Sequence, residues 1–289
     1  MLLNLLHDAS ILRLIQIAIQ EDVGPGDITT ETIIPRDNTA SARFLMKQDG
    51  IICGLPLVPL IFREFSPDVS IDMKVREGDH VPSGTVLATV EGPAFALLAG
   101  ERTALNFIQR MSGVATKSWE YVQAIAGTHA RVLDTRKTIP GWRLLDKYAT
   151  SVGGAMNHRI GLFDMVMIKD NHITAAGGIR EAVERCLGEL EGRAPVRIEV
   201  EARTLHDVEE VISCPGVHRI MFDNFTPQLV REGVRIVNGR METEASGGIT
   251  YDNIRAYAEA GVDFISIGAI THSAVALDIS MKLFVPKQG

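Results

Sequence analysis

Arg136-Lys137, His158-Arg159 and Lys169 put five cationic or potentially cationic side chains into one short stretch of this chain. Arginine presents a planar fork of donors that matches carboxylate or phosphate, and lysine supplies a point charge. For any one of these residues a surface salt bridge is the plainer reading. As a set they fit a ligand with several negative charges. Acids follow: Glu199 and Glu201, then Asp223. Carboxylates there could hold sugar hydroxyls or a magnesium ion, the latter through water, and could equally neutralise the cations opposite. Ser246-Gly247-Gly248 and Ser266-Ile267-Gly268 come last. Glycine lets backbone N–H groups approach a phosphate, and a helix start favours the anion. No serine or cysteine stands in a nucleophile setting, and no His/Cys set has zinc spacing. The chemistry that remains is electrostatic positioning of polyanions.

Net charge sharpens this reading. The 289-residue chain carries −7, which argues against general nucleic-acid binding. Residues 135–172 nevertheless hold six cations (Arg136, Lys137, Arg143, Lys147, Arg159, Lys169) against three acids, which makes that window +3 and the rest of the chain −10. A basic island in an acidic protein suits a pocket for a small anion. Arg143 and Lys147 lie four apart and fit a solvated helix face instead.

Stepping outward to the elements that must hold these groups, residues from 132 onward alternate short apolar strands with helical pattern. The strand-terminal residues Asp134, Lys169, Glu201, Asp223, Ser246 and Gly268 are separated by 35, 32, 22, 23 and 22 residues, one strand-loop-helix-loop unit each. Such repeats with chemistry at the strand ends describe an α/β barrel, incomplete because only six or seven strands fit. Strand alternation puts Glu199 and Glu201 on one side. Glycines at the final strands of a barrel gain weight, because phosphate sites gather there.

The first region reads differently. A helix capped by Ser10 is expected to end near Asp22, before the break Gly24-Pro25-Gly26-Asp27. Strands are expected over 41–46, 69–75 and 85–90, then a long helix over 98–126, broken or bent near Gly113. The turn from Glu77 to Gly84 is similar to biotinyl and lipoyl carrier domains, but no modifiable lysine follows at a hairpin tip. Hydrophobic residues make up 46% of the chain, enough for a sizeable core, and the length suits two domains. Apolar stretches such as 51–62 are short and contain proline, so none can span a bilayer. The N-terminus lacks the basic start of a signal peptide. Cys53, Cys186 and Cys214 are odd in number and far apart, which excludes a full disulfide framework and suits a reduced cytoplasm.

Several longer strings follow one another in a set order along the chain. They are Glu101-Arg102-Thr103-Ala104-Leu105-Asn106-Phe107, Ser112-Gly113-Val114-Ala115-Thr116, Asp134-Thr135-Arg136-Lys137-Thr138 with Pro140-Gly141, and Asn157-His158-Arg159. Ile168-Lys169-Asp170-Asn171-His172, Glu199-Val200-Glu201, Asp223-Asn224-Phe225, Ala245-Ser246-Gly247-Gly248 and Thr271-His272-Ser273 continue in the same order. The early Glu21-Asp22 with Asp27-Ile28-Thr29 precedes them.

Together these strings resemble the quinolinate phosphoribosyltransferase family of type II phosphoribosyltransferases. Ile139 and Trp142 around the Pro-Gly turn, and Ala155 in place of a third glycine, depart from its pattern. The resemblance implies an N-terminal open α/β sandwich over 1–115 and a C-terminal incomplete α/β barrel over 116–275. The tail 276–289 is then free to return to the first domain. It implies a homodimer or larger homo-oligomer in which quinolinate and phosphoribosyl pyrophosphate, with Mg²⁺, become nicotinate mononucleotide, pyrophosphate and CO₂. By motif match, Arg102 is expected to reach a partner's site, and Arg136, His158 and Arg159 to bind quinolinate carboxylates. Lys137 and Lys169 are expected near substrate anions, Glu201 and Asp223 at the ribose and metal, and Ser246, Gly247, Gly248 and Gly268 near the phosphate. Lys137, Glu201 and Asp223 are the expected catalytic residues. The rival readings are a molybdenum-transport-associated paralogue, which shares Thr135-Arg136-Lys137-Thr138-Ile139-Pro140-Gly141, and a non-enzymatic anion-binding or carrier protein.

Overall fold

The computed structural model describes residues 8–284. They divide into two compact units. The first comprises residues up to Trp119, Ile139–Gly154, and the chain from Ala274 onward; the second comprises Glu120–Thr138 and Ala155–Ser273.

In the first unit, α1 (Ala9–Val23) and α2 (Ile28–Ile33) precede β1 (Thr39–Met46). The cap of α1 is Asp8, not Ser10: the Asp8 carboxylate accepts the Ser10 N–H at 2.9 Å. Both residue types cap well, so the pattern alone does not choose between them. The short β2 (Gly50–Ile51), α3 (Val58–Arg63), β3 (Ser70–Met73), β4 (His80–Val81) and β5 (Val86–Pro93) lead into α4 (Ala94–Ala124). An antiparallel sheet forms in the order β12-β1-β5-β3, where β12 (Ile279–Phe284) comes from the end of the chain. Phe44, Met46, Leu87 and Val90 of this sheet are buried, and the Phe44 ring meets Phe62 edge to face with centroids 6.2 Å apart. The carrier-like turn serves this fold: Glu77 accepts the N–H groups of Gly54 and Leu55 at 2.7 and 3.0 Å.

Helix α4 runs through Gly113 without a break. The glycine is there for clearance, since a Cβ would stand 2.1 Å from the Val275 carbonyl oxygen. Helix α5 (Arg143–Val152) also belongs to this unit. Trp142 stacks on Phe107 with ring centroids 4.8 Å apart, and Arg110 pairs with Asp146 at 3.3 Å. Trp142, which departs from the family pattern, is therefore a packing residue. Lys147 is 3% exposed, so the solvated-face reading fails for it.

The second unit holds a six-stranded parallel sheet in the order β6-β11-β10-β9-β8-β7. Its strands are β6 (Arg131–Leu133), β7 (Val166–Ile168), β8 (Ile198–Ala202), β9 (Arg219–Asp223), β10 (Glu242–Ser246) and β11 (Phe264–Ser266). The edges β6 and β7 are consecutive in sequence, so the α/β barrel is incomplete. Helices α6 (Asp170–Ala176), α7 (Ile179–Leu190), α8 (Leu205–Ile212), α9 (Pro227–Val237), α10 (Ile254–Glu259) and α11 (Ala269–His272) separate the strands. Strand β8 is buried along its whole length, as expected of a parallel strand covered on both faces. Register then decides which side chains share a face. Glu199 lies opposite Arg219, Arg219 opposite Glu242, and Asp223 opposite Ser246. Among the described residues no helix is long and apolar enough to cross a membrane. Cys53, Cys186 and Cys214 are all free thiols.

Candidate active site

Lys169, Glu201, Asp223, Ser246 and Gly268 stand at or just beyond the C-terminal ends of barrel strands. Asp134, fully buried just after β6, accepts the His158 backbone N–H at 2.8 Å. This bond ties the loop after β6 to the 156–161 segment, and so brings Arg136-Lys137 and His158-Arg159 into one neighbourhood. Burial and the nearby Arg136 charge both push the Arg159 guanidinium below its usual range. A guanidinium held beside a second cation in this way suits an anion. Arg136 Nε is buried without a hydrogen-bond acceptor, a cost that a bound anion would remove. One terminal nitrogen of Arg159 donates to the Met165 carbonyl at 3.2 Å.

Lys169 caps α6, and its backbone N–H donates to His172 Nδ1 at 3.0 Å. Its ammonium stands 3.3 Å from Glu201 Oε2. Burial raises the Glu201 carboxyl, Lys169 lowers it, and the Asp223 charge raises it again. Glu201 and Asp223, on neighbouring strands, are thus close enough to repel. Two hard oxygen donors that repel each other and are only partly offset by one lysine suit a divalent cation that keeps most of its water. On that test the residues fit Mg²⁺.

The loop after β9 turns at Asn224, which adopts φ 58°. Its side chain donates to Asp223 Oδ2 at 2.9 Å and its backbone N–H to the Ser246 carbonyl at 2.8 Å. Gly247 packs against it with φ 92°, where a Cβ would meet Asn224 Oδ1 at 2.2 Å. Asp223 and the Ser246-Gly247-Gly248 turn are therefore one device. Gly268 precedes α11 and faces the Lys137 and His272 side chains. Thr271 Oγ1 donates to the Lys137 carbonyl at 2.8 Å, which fixes the lysine's backbone. Of the basic island, the barrel unit keeps Arg136, Lys137, Arg159 and Lys169, whereas Arg143 and Lys147 belong to the first unit. Arg102 is exposed on α4, also in the first unit.

Beside these residues lies a buried charged layer of His158, Glu199, Arg219 and Glu244. His158 Nε2 is 3.0 Å from Glu199 Oε2 and 3.5 Å from Glu244 Oε2. Arg219 reaches Glu244 at 2.9 Å and Glu242 at 2.9 Å, with its guanidinium 4.0 Å above the Phe264 ring centre. Burial opposes a proton on this group, but the two carboxylates outweigh it, so the group holds its proton more tightly than a free imidazole does. Burial, and then the Glu244 charge, raise Glu199 to about 7. The Arg159 N–H points at His158 Nδ1 from 2.7 Å and needs a lone pair there. Nε2 therefore carries the ring hydrogen, and a further proton on the group sits on the Glu199 carboxyl. His158, Glu199 and Glu244 bring ligand atoms within 4.8 Å of one another. Arg219 already supplies the cation for that group, so it reads as an internal ion network. Alternation along Glu242-Thr243-Glu244-Ala245-Ser246 was the available signal for Glu244: acids inside a parallel strand need a buried partner.

Comparison with known proteins agrees with this architecture. Residues 27–112 match the N-terminal domain of quinolinate phosphoribosyl transferase, and residues 114–282 match its C-terminal domain. A mitochondrial quinolinate phosphoribosyltransferase (decarboxylating) of Nicotiana glauca is 44% identical over 93% of this chain and 80% of its own. A probable nicotinate-nucleotide pyrophosphorylase (carboxylating) of Bacillus subtilis is 41% identical over 93% of this chain and 92% of its own. The nicotinate-nucleotide pyrophosphorylase structure from Francisella tularensis superposes with a TM-score of 0.90 at 36% identity, covering 95% of this chain and 96% of that one. The NadC structure from Streptococcus pyogenes gives 0.90 at 35%, covering 94% and 95%. With a double cation site, an acidic pair and a glycine turn on the strand ends of an incomplete barrel, and with both domains matched, this chain belongs to the quinolinate phosphoribosyltransferase family.

Proposed function

We propose that this phosphoribosyltransferase joins quinolinate to phosphoribosyl pyrophosphate, releasing pyrophosphate and CO₂ and leaving nicotinate mononucleotide. The observation that carries the reading is the Arg136–Arg159 pair, in which the Arg136 charge bears on Arg159 and Arg136 Nε is buried without an acceptor. Two guanidinium groups suit a pyridine with two carboxylates better than one with a single carboxylate. Lys137 and Lys169 supply further charge for substrate anions. The backbone N–H groups around Ser246, Gly247, Gly248 and Gly268 suit the 5-phosphate.

Departure of pyrophosphate leaves positive charge on the ribose ring, which the pyridine nitrogen then captures. Glu201 and Asp223 contribute most in that state, because their charge matches what develops there and is absent from the ground state. Mg²⁺ held by the same two carboxylates, partly through water, would neutralise the leaving group. Loss of the 2-carboxylate follows, drawn by the positive pyridinium nitrogen. The exposed Arg102 on α4 is assigned to the site of a second copy in a homodimer or larger homo-oligomer. The three free thiols suit a reducing compartment such as the cytoplasm. Incubation with quinolinate, phosphoribosyl pyrophosphate and Mg²⁺ should yield nicotinate mononucleotide and CO₂, with nicotinate a poor replacement. Equal turnover of nicotinate refutes the assignment.

A further inference from the structure

His158 was expected to bind a quinolinate carboxylate, but its surroundings describe a different task. The residue is 8% exposed. Its Nδ1 accepts the Arg159 backbone N–H at 2.7 Å, so the ring hydrogen sits on Nε2. Nε2 stands 3.0 Å from Glu199 and 3.5 Å from Glu244. Glu244 is itself held by Arg219 at 2.9 Å, and the His158 backbone N–H is spent on Asp134 at 2.8 Å. A substrate carboxylate placed on this ring would also lie beside two buried acids, and like charges at such range repel strongly.

We propose that His158 is a positioning residue that touches no substrate and holds the Arg159 main chain in place, its ring oriented from below by Glu199 and by the Glu244–Arg219 pair. Glu199 and Glu244 then serve the reaction at one remove: they orient His158, His158 orients Arg159, and Arg159 meets the dicarboxylate beside Arg136. The inference rests on the assignment of Arg136 and Arg159 to that dicarboxylate.

A double-mutant cycle tests it. His158→Gln keeps a donor near the Nε2 position and removes the acceptor that holds Arg159. It should raise the KM for quinolinate roughly tenfold, the upper end of what one neutral hydrogen bond contributes, and leave the KM for phosphoribosyl pyrophosphate close to wild type. Adding His158→Gln to Arg159→Ala should change the quinolinate KM no further, because the residue it acts through is gone. Effects that multiply would overturn the proposal by showing independent contact with substrate. An unchanged quinolinate KM in Arg159→Ala alone would overturn it together with the carboxylate assignment. Should His158→Gln not fold, ¹⁵N NMR of the native enzyme decides. A bare Nδ1 and a protonated Nε2, both unmoved by quinolinate, are expected; a proton gained at Nδ1 when quinolinate binds would refute the idea.

Discussion

Gly247→Ala and Gly248→Ala change adjacent residues of one turn, yet they should fail in different ways. At Gly247 an added Cβ would lie 2.2 Å from Asn224 Oδ1, 2.7 Å from its Cγ and 3.0 Å from its backbone nitrogen. Asn224 cannot retreat cheaply, because its N–H bonds the Ser246 carbonyl and its side chain bonds Asp223. The left-handed φ costs about 1–2 kcal/mol for a residue with a Cβ, and overpacking adds about 1–3 kcal/mol. At Gly248, φ is 63° and nothing lies within 4 Å of the added atom, so only the φ cost remains. Taking about 2–4 °C of melting temperature per kcal/mol, Gly248→Ala should lose roughly 2–8 °C and Gly247→Ala roughly 4–20 °C. Calorimetric melting measures this directly, and steady-state kinetics on the same samples tests the consequence. Gly247→Ala can relax only by moving Asn224, which drags Asp223, so kcat should fall. Gly248→Ala should chiefly raise the KM for phosphoribosyl pyrophosphate. Equal melting losses, or a Gly247→Ala variant with normal kcat, would refute reasoning from the Asn224 contact.

Glu201→Gln and Asp223→Asn should each lower kcat by about 10²–10³, with melting and quinolinate binding largely kept. Near-normal turnover in a destabilised protein would return both residues to the balancing of Lys169 and its neighbours. Arg102→Ala and Lys137→Ala should each be nearly inactive and should regain partial activity when mixed. No recovery, with subunit exchange verified, would count against a site shared between copies.

The strand ends were legible because a parallel barrel strand is a short apolar run that stops at a polar residue. Asp134, Lys169, Glu201, Asp223, Ser246 and Gly268 all stand at or just beyond such ends. The cations of the site were legible for a related reason: Arg136, Lys137 and Lys169 follow buried runs, where a charge needs a purpose. Other features were not. Helix α5 is amphipathic in any setting, and nothing in its pattern says that Trp142 stacks on Phe107 or that Lys147 is buried. Gly113 reads as a helix breaker, but its role depends on Val275, far away in sequence.

Taken alone, then, the order of residues determined the repeating units, the face on which Glu199 and Glu201 lie, and the chemical type of the ligand. Local periodicity and side-chain charge suffice for these, since they need only neighbours in the chain. Tertiary structure decided what each charge is spent on. Arg219 and Glu244 stand 25 residues apart, and only strand register sets them in one buried layer with Glu199. Likewise only the fold brings His158, which lies on no strand, within 3.0 Å of Glu199 and 3.5 Å of Glu244, because a buried charge must find its partner wherever the sheet puts it.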